Sequence, residues 1–550
     1  MRKILYFFGG ATFHPTQWAG EQLTKFLPNN GPYQVEMTSD LDVFTRLSTG
    51  EYAAVVVYAT GFKDDLTSPR EKGLLEYVRN GGGFVGIHAG GADCFAGNSA
   101  YVEMLNGLFR WHPEPHEFTL NLTDKDHYLT ARMADFTIFD EMYHLQKFDP
   151  AKCRLLATTL WQGQAQPMVF VREYGQGRVV HLASGHTQQV WMHPEFQKLV
   201  VRAIAWSAGA ELSDREIRCG ILGYGPAFNM GKFHADSINA TPGLKVVAIC
   251  DTSPARVEAA RKDLPSLEGY FTRTEDLAAM PNLDLVIVIL PHNQHASATL
   301  QCLRAGKHVI LEKPFCLTVE EANEMIGTAR AGNRMLSIFN NRRWDGDYCM
   351  IQDILARGLI GEIFHIECRV GEYGHPGFTW RSDKSVGGGI LYDWGAHFLD
   401  WILGLIPSRI TQVTGDLQKR VWHSVTSEDH GQVLIRFENG VTADFLVSQI
   451  AALNGPKWRV LGTKGAIEVN SGAEITVVSY VSGLRQDSKI KTPQIPWEAK
   501  QYYRNIADHL LMGEELVVKP EQARRVVGVV DAAQRSAQQG SSAALAPGCE

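Results

Sequence analysis

The stretch from residue 217 to Asp251 constrains this chain more than any other. "IRCGILGYG" is a short apolar run that ends in a glycine turn, and "LKVVAICD" is a second apolar run that closes on an acid, Asp251. A helical pattern lies between them. A strand entering glycines, then a helix, then a strand ending in a carboxylate is a β-α-β unit. Such units build parallel sheets whose ligand sites lie at the C-terminal ends of the strands. "LDLVIVIL" and "GKHVILEKP" continue the alternation as buried strands, with helical patterns over 254–262 and 319–331.

The glycine turn is irregular. Gly223 and Gly225 stand where a dinucleotide loop turns sharply and lets its backbone approach a pyrophosphate. A third glycine, which lets the helix pack on the strand, is expected at Phe228 and arrives only at Gly231. A tight strand–helix turn without a ligand would show the same first two glycines. Asp251 weighs toward a nucleotide, because a carboxylate there accepts both ribose hydroxyls of NAD and repels the 2′-phosphate of NADP. NAD is the expected cofactor.

Residues 1–210 form a second α/β block in front. Its strand candidates, 3–8, 53–58, 83–88 and 178–183, are short apolar runs suited to a parallel sheet covered on both faces. "SAGAELSDRE" over 207–216 is small and polar and reads as a linker. After about residue 340, segments such as "GQVLIRFENGVTADFLVSQ" alternate apolar and polar residues, which predicts an open, mainly antiparallel sheet with one covered face. The fold class is α/β. A doubly wound domain spans 1–212, a Rossmann domain 217–338 and an α+β domain 339–540, with a flexible tail over 541–550.

Bulk properties narrow the partners. A net charge of −7 offers no basic surface for nucleic acid. No apolar span reaches the length of a membrane helix. "MRKILYFFGG" is stopped by Gly9 and Gly10 too early for a secretion signal. The nine cysteines show no C-x-x-C pairing, which suits a reducing compartment and predicts a cytoplasmic protein.

A resemblance makes the rear block specific. "LPHNQHASATLQCLRAGKHVILEKPFCLTVEEANEM" is similar to the Gfo/Idh/MocA oxidoreductases, whose hallmark is the Glu312-Lys313-Pro314 triplet at a strand end. "FNNRRWD" and "GGGILYDWGAHFLDW" resemble two further signatures, so the likeness spans about 217–540. It implies a Rossmann domain followed by an α/β domain whose sheet often forms an oligomer interface, so a homo-oligomer is expected. It also implies sugar, polyol or glycoside substrates. Lys313, Asp393 and His397 match the family's catalytic residues. Asp393 and His397 are four apart, which places them on one helix face. Nucleotide contacts are expected from Gly223, Gly225, Pro226, Ala227, Phe228, Asn229, Asp251, Pro291, His292, Asn293, His295, Glu312 and Lys313. Arg342, Arg343, Tyr373 and Trp380 are candidate substrate contacts, with packing or surface pairing as the competing explanation.

In the front block, "GGGFVGIHAGG" carries a sharp turn. Class I glutamine amidotransferase-like folds have a G-x-C-x-G nucleophile elbow at this place. Here it reads Gly86-Ile87-His88-Ala89-Gly90, and Cys94 lies outside it. With imidazole in place of the thiol, chemistry through a cysteine thioester is not supported. The variant resembles the ThuA-like (trehalose utilisation) family, along with "GGATFHP", "LFRWHPEPHEF", "DFTIFDEMYHL", "YGQGRVVHLASGHTQQVW" and "HPEF". His14, His88 and His186 each follow a strand or its turn, and such loops converge at one sheet edge. Glu141 can join them. The group suits a divalent metal or acid–base work on a keto sugar, against the alternative of structural histidines at sharp turns.

Together these readings predict NAD-dependent oxidation of a secondary hydroxyl of a sugar or glycoside, with C3 the leading position. The front domain would process or bind the keto sugar. One alternative is a glycosidase that oxidises transiently, eliminates, adds water and reduces again. The other is a sugar-sensing regulator without catalysis, against which the joint presence of Lys313, Asp393 and His397 speaks.

Overall fold

The computed structural model describes residues 1–225, 227–493 and 499–549. They form two compact units. The first comprises 1–214 together with 508–515, and the second 215–507 and 516–550.

The first unit is built on a nine-stranded sheet. Tyr33–Thr38, Arg2–Gly9, Tyr52–Ala59, Gly83–Ile87 and Gly177–Leu182 lie side by side and parallel. Gln164–Tyr174, Arg154–Trp161, His116–Leu122 and Phe136–Asp140 extend the sheet antiparallel. Alternate residues of one strand enter different cores. Ile4 and Tyr6 pack with Val56 and Val85, whereas Leu5 and Phe7 pack with Val55 and Phe84. This two-sided burial explains the continuous apolar runs read as parallel strands. The antiparallel half was not legible that way, because strands such as His116–Leu122 bury every second residue and read as polar sequence.

Residues 508–515 complete this unit through buried ion pairs. Arg202 Nε lies 2.6 Å from Glu514 Oε1, Lys198 Nζ 2.7 Å from Asp508 Oδ2 and Arg132 Nε 2.7 Å from Asp508 Oδ1. Arg202 is fully enclosed.

The second unit begins with six parallel strands in the order Gly269–Phe271, Leu244–Cys250, Ile217–Leu222, Leu285–Val288, His308–Leu311, Leu336–Ile338. The order reverses between Ile217–Leu222 and Leu285–Val288. The loops leaving those two strands therefore diverge and open a crevice, where ligands bind in such sheets. An eight-stranded sheet follows, antiparallel except for the pairing of Ile363–Gly371 with Thr442–Ser448. Trp401 and Phe398 of helix Gly395–Leu405, and Val529 of helix Pro520–Gln539, join Val413, Val433, Phe445 and Trp458 in one core. Among the described residues no helix is long and apolar enough to cross a membrane.

Candidate active sites

The glycine loop follows strand Ile217–Leu222. At Gly223 the backbone has φ +105°, and a Cβ there would lie 2.0 Å from the Ile289 carbonyl oxygen. Above Gly225 nothing lies within 4 Å, so this face of the backbone is open to a ligand. The extra residues form a short turn over Ala227–Asn229, with Phe228 at φ 57° and Asn229 at φ 52°. Helix Met230–Asn239 then starts without a side-chain cap or an acid in its first turn. Its free amides suit an anion. A Cβ on Gly231 would meet Tyr224 Cδ2 at 2.6 Å and the Gly223 oxygen at 3.1 Å. Gly231 thus performs the helix-packing role that sequence spacing assigned to position 228. Phe228 is instead exposed beneath Arg381, whose guanidinium carbon is 4.4 Å from the ring centre. Pro226 lies outside the described residues.

Asp251 accepts from the Tyr224 amide at 2.7 Å and the Ser253 amide at 2.9 Å. An ionised carboxylate has roughly four acceptor positions, so two remain for ribose hydroxyls. The open backbone at Gly225, the uncapped helix start and this acceptor fit a dinucleotide.

On the other side of the crevice, Pro291 and Asn293 lie at the turn His292–Gln294 that follows strand Leu285–Val288. His292 Nδ1 donates to the Gly387 carbonyl at 2.9 Å, and its ring stands edge-on to Trp380 at 4.5 Å. Burial and the nearby His295 hold its pKa down at about 3, so the ring is neutral. His295 is fully buried, with its ring nitrogens 2.8 Å from the Pro314 and Leu290 carbonyls. It ties two loops together rather than facing the open crevice. Glu312 is similarly committed, accepting from the Lys313 amide at 2.9 Å and lying 3.1 Å from His234 Nε2. It fixes the backbone from which Lys313 projects.

Lys313 Nζ meets Asp393 Oδ1 at 2.7 Å. Burial alone would raise the Asp393 carboxyl, but Lys313 and Arg381 beside it hold it well below the usual carboxylate range. Asp393 ends the short helix Ile390–Asp393, and His397 lies in the next helix, Gly395–Leu405, with Trp394 between. The single helix expected from their spacing is instead two successive helices. His397 is buried, and burial together with Lys313 and Arg342 pushes its pKa well below that of free imidazole. Its Nδ1 has no hydrogen-bond partner among the described residues.

The substrate candidates divide. Arg342 lies over the Trp394 ring at 5.3 Å and pairs with Asp345 at 3.1 Å, close enough to depress His397. Trp380 joins the cluster through His292. Arg343 instead forks onto Asp400 and reaches the Val517 carbonyl at 2.8 Å, which makes it a packing residue. Tyr373 is exposed, with its ring centre 5.7 Å from that of Trp422. Arg381 escaped the sequence reading. Its only signal was a cation adjoining Trp380 in "FTWRSD".

In the first unit, His14, His88, Glu141 and His186 converge, with one donor atom of each within 4.8 Å of the others. His88 sits at the elbow with φ 48° and ψ −116°, at the end of strand Gly83–Ile87. Gly90 permits that turn, because a Cβ there would lie 1.9 Å from the Val57 oxygen. Glu141 Oε2 is 3.3 Å from His88 Nε2 and 3.1 Å from His186 Nδ1. His112, missed from sequence although it stands in "LFRWHPEPHEF", brings Nε2 to 3.6 Å from Glu141 Oε1.

Known proteins resemble both units. Residues 3–207 match the trehalose utilisation family ThuA, residues 217–339 the oxidoreductase family with an NAD-binding Rossmann fold, and residues 348–468 the GFO/IDH/MocA C-terminal domain. An uncharacterised oxidoreductase of Escherichia coli K12, YdgJ, is 30% identical over 259 residues, covering 46% of this chain and 70% of its own. The scyllo-inositol 2-dehydrogenase (NADP(+)) IolW of Bacillus subtilis is 26% identical, over 59% of this chain and 94% of its own. The crystal structure of an NAD-binding protein from Listeria innocua superposes with a TM-score of 0.54 at 29% identity, covering 60% of this chain and 96% of that one. The chain belongs to the Gfo/Idh/MocA family of NAD(P)-dependent oxidoreductases and carries a ThuA domain in front.

Proposed function

We propose that the second unit oxidises a secondary hydroxyl of a sugar, polyol or glycoside with NAD, and that the first unit binds or processes the resulting keto sugar. The observation that carries the redox reading is the gathering of Lys313, Asp393 and His397 beside the crevice between the two diverging loops. A bound nicotinamide supplies the hydride acceptor. The residues supply the rest. Lys313, held by Asp393, directs a cationic donor at the substrate oxygen and stabilises charge developing there. Burial keeps His397 neutral, and its Nδ1 has no hydrogen-bond partner among the described residues, which supports assigning it the hydroxyl proton. Arg342 beside Trp394 and Trp380 beside His292 are the residues we assign to a polyhydroxylated ring. Inositol dehydrogenases among the relatives support this substrate class.

The acceptors left on Asp251 favour NAD over NADP. A panel of sugars, polyols and glycosides, followed through reduced nicotinamide with each cofactor, tests the reading. Reduction with NAD is expected, with discrimination against NADP relaxed in Asp251→Ala. Equal or faster turnover of the unsubstituted chain with NADP contradicts the preference. For the first unit, His88→Ala is expected to let keto sugar accumulate. An unchanged product profile at full conversion would leave that unit without a chemical step.

A further inference from the structure

The four-residue cluster of the first unit has features that hydrogen bonding alone does not satisfy. His88 Nδ1 donates to the Ala183 carbonyl at 2.9 Å, which directs its Nε2 at Glu141 Oε2, 3.3 Å away. A ring lone pair facing a carboxylate oxygen is repulsive unless a cation lies between them. One proton could bridge that contact, but it would leave the rest unmet. Both ring nitrogens of His14, Nε2 of His88 and Nδ1 of His186 are buried, with no hydrogen-bond partner among the described residues. Buried polar atoms are almost always paired, so an unpartnered nitrogen on each of three histidines, gathered with one carboxylate, forms a set of vacant ligand atoms.

The supporting structure is that of a held site. His14 follows strand Arg2–Gly9, His88 follows Gly83–Ile87 and His186 follows Gly177–Leu182, so three parallel strands present their histidines at one sheet edge. Asp140, fully buried beside Glu141, accepts from the Gly185 amide at 2.6 Å and the Thr187 amide at 2.8 Å. Tyr58 donates to the Gly185 carbonyl at 2.7 Å. The residues on both sides of His186 are thereby fixed, as outer partners fix metal-ligating histidines. The rings of His14 and His186 are 4.9 Å apart, and those of His14 and His88 5.1 Å.

We infer that His14, His88, His186 and Glu141 bind one divalent first-row transition metal. Three imidazoles and one carboxylate match zinc and its neighbours, whereas calcium and magnesium prefer all-oxygen sets. For bonds of about 2.1 Å, ligand atoms around a tetrahedral ion lie roughly 3.4 Å apart, near the 3.1 and 3.3 Å contacts to Glu141. His112 stands 3.6 Å from the other Glu141 oxygen and is partly exposed, so it lies toward solvent. The ligand class suited to such an ion is a vicinal hydroxy-ketone, which offers two oxygens to one metal. This part rests on the keto-sugar reading above, whereas the metal site does not.

The test uses the full chain, stripped with a chelator and titrated with Zn²⁺ against a chromophoric competitor, with Co²⁺ absorption as a second readout. One equivalent should bind per chain, and Co²⁺ should show the visible bands of nitrogen–oxygen ligation. Glu141→Gln and His186→Ala should each weaken binding by at least about 100-fold while retaining the circular dichroism of the parent. Absence of stoichiometric binding to the parent chain, or unchanged affinity in both folded variants, overturns the inference. If a variant fails to fold, the Co²⁺ spectrum of the parent decides, and a spectrum of the hydrated ion overturns it. Metal binding without any effect of a hydroxy-ketone on the Co²⁺ bands would overturn the ligand class alone.

Discussion

Lys313 Nζ stands 2.7 Å from Asp393 Oδ1 and 3.3 Å from the carbonyl oxygen of the same residue. The pair joins the end of a parallel strand to a helix 80 residues further on, and it sets a cation beside a neutral histidine. Lys313→Ala and His397→Ala are each expected to lower redox turnover by about 10²–10⁴-fold, the usual cost of losing a positioned proton-transfer or charge-stabilising group. NAD affinity, read by calorimetry, should change little in His397→Ala. Near-normal turnover in both variants would remove the assigned roles.

The glycine loop separates two roles that one substitution series can read. Gly225→Ala places a methyl on the open face where a pyrophosphate would approach, so NAD binding should weaken about tenfold or more with the melting temperature nearly unchanged. Gly231→Ala pushes a methyl into Tyr224, so stability should fall by about 1–3 kcal/mol. The opposite pattern, with position 225 destabilising and position 231 silent, would contradict this division.

The ion pairs of Arg132, Lys198 and Arg202 with Asp508 and Glu514 seat these two acids in the front unit's interior. Removing one partner of a buried pair typically costs about 3–5 kcal/mol. A fragment of residues 1–212 should therefore melt well below the same unit in the full chain, and Glu514→Gln should lower stability of the intact protein. Equal melting of fragment and full chain would show that the segment is dispensable.

Acid sensitivity follows from histidines buried in the neutral form. Burial holds His181 and His292 at about 3 and His127 at about 4. Their unfolded values lie near 6.5, so below that pH the unfolded chain takes up protons that the folded chain refuses. Each such group weakens the fold by up to about 1.4 kcal/mol per pH unit until its folded pKa is reached. Asp140 acts in the opposite sense. Its folded pKa is raised by burial to about 6, so protonation there favours the fold as pH falls. The buried neutral histidines outweigh Asp140 and predict a melting temperature that declines from pH 7 to pH 5. A flat or rising profile over that window would contradict the neutral assignments.

Period and punctuation carried much of this architecture. The apolar runs at 217–222, 244–250 and 285–288 are buried on both faces and are legible as parallel strands from composition alone. The convergence of His14, His88 and His186 was legible too, because each follows such a strand. What escaped detection depended on contacts far apart in sequence. Nothing local shows that Asp508 and Glu514 belong with Arg202, or that Arg381 lies over Phe228. His295 illustrates the converse. Its position in a nucleotide-loop motif suggests a ligand contact, yet its ring is fully buried between the Pro314 and Leu290 carbonyl oxygens. Arg343 is spent in the same way on Asp400.

We propose that this chain removes hydride from a sugar carbon and releases a ketone. A single-turnover experiment tests it most directly. Enzyme in excess over a responsive sugar or glycoside is mixed with NAD, and reduced nicotinamide and the sugar product are quantified together. One reduced nicotinamide is expected for each keto sugar formed, with both lost in Lys313→Ala. Glycoside cleavage with no lasting reduced nicotinamide, or no reduction with any sugar, polyol or glycoside, would contradict it.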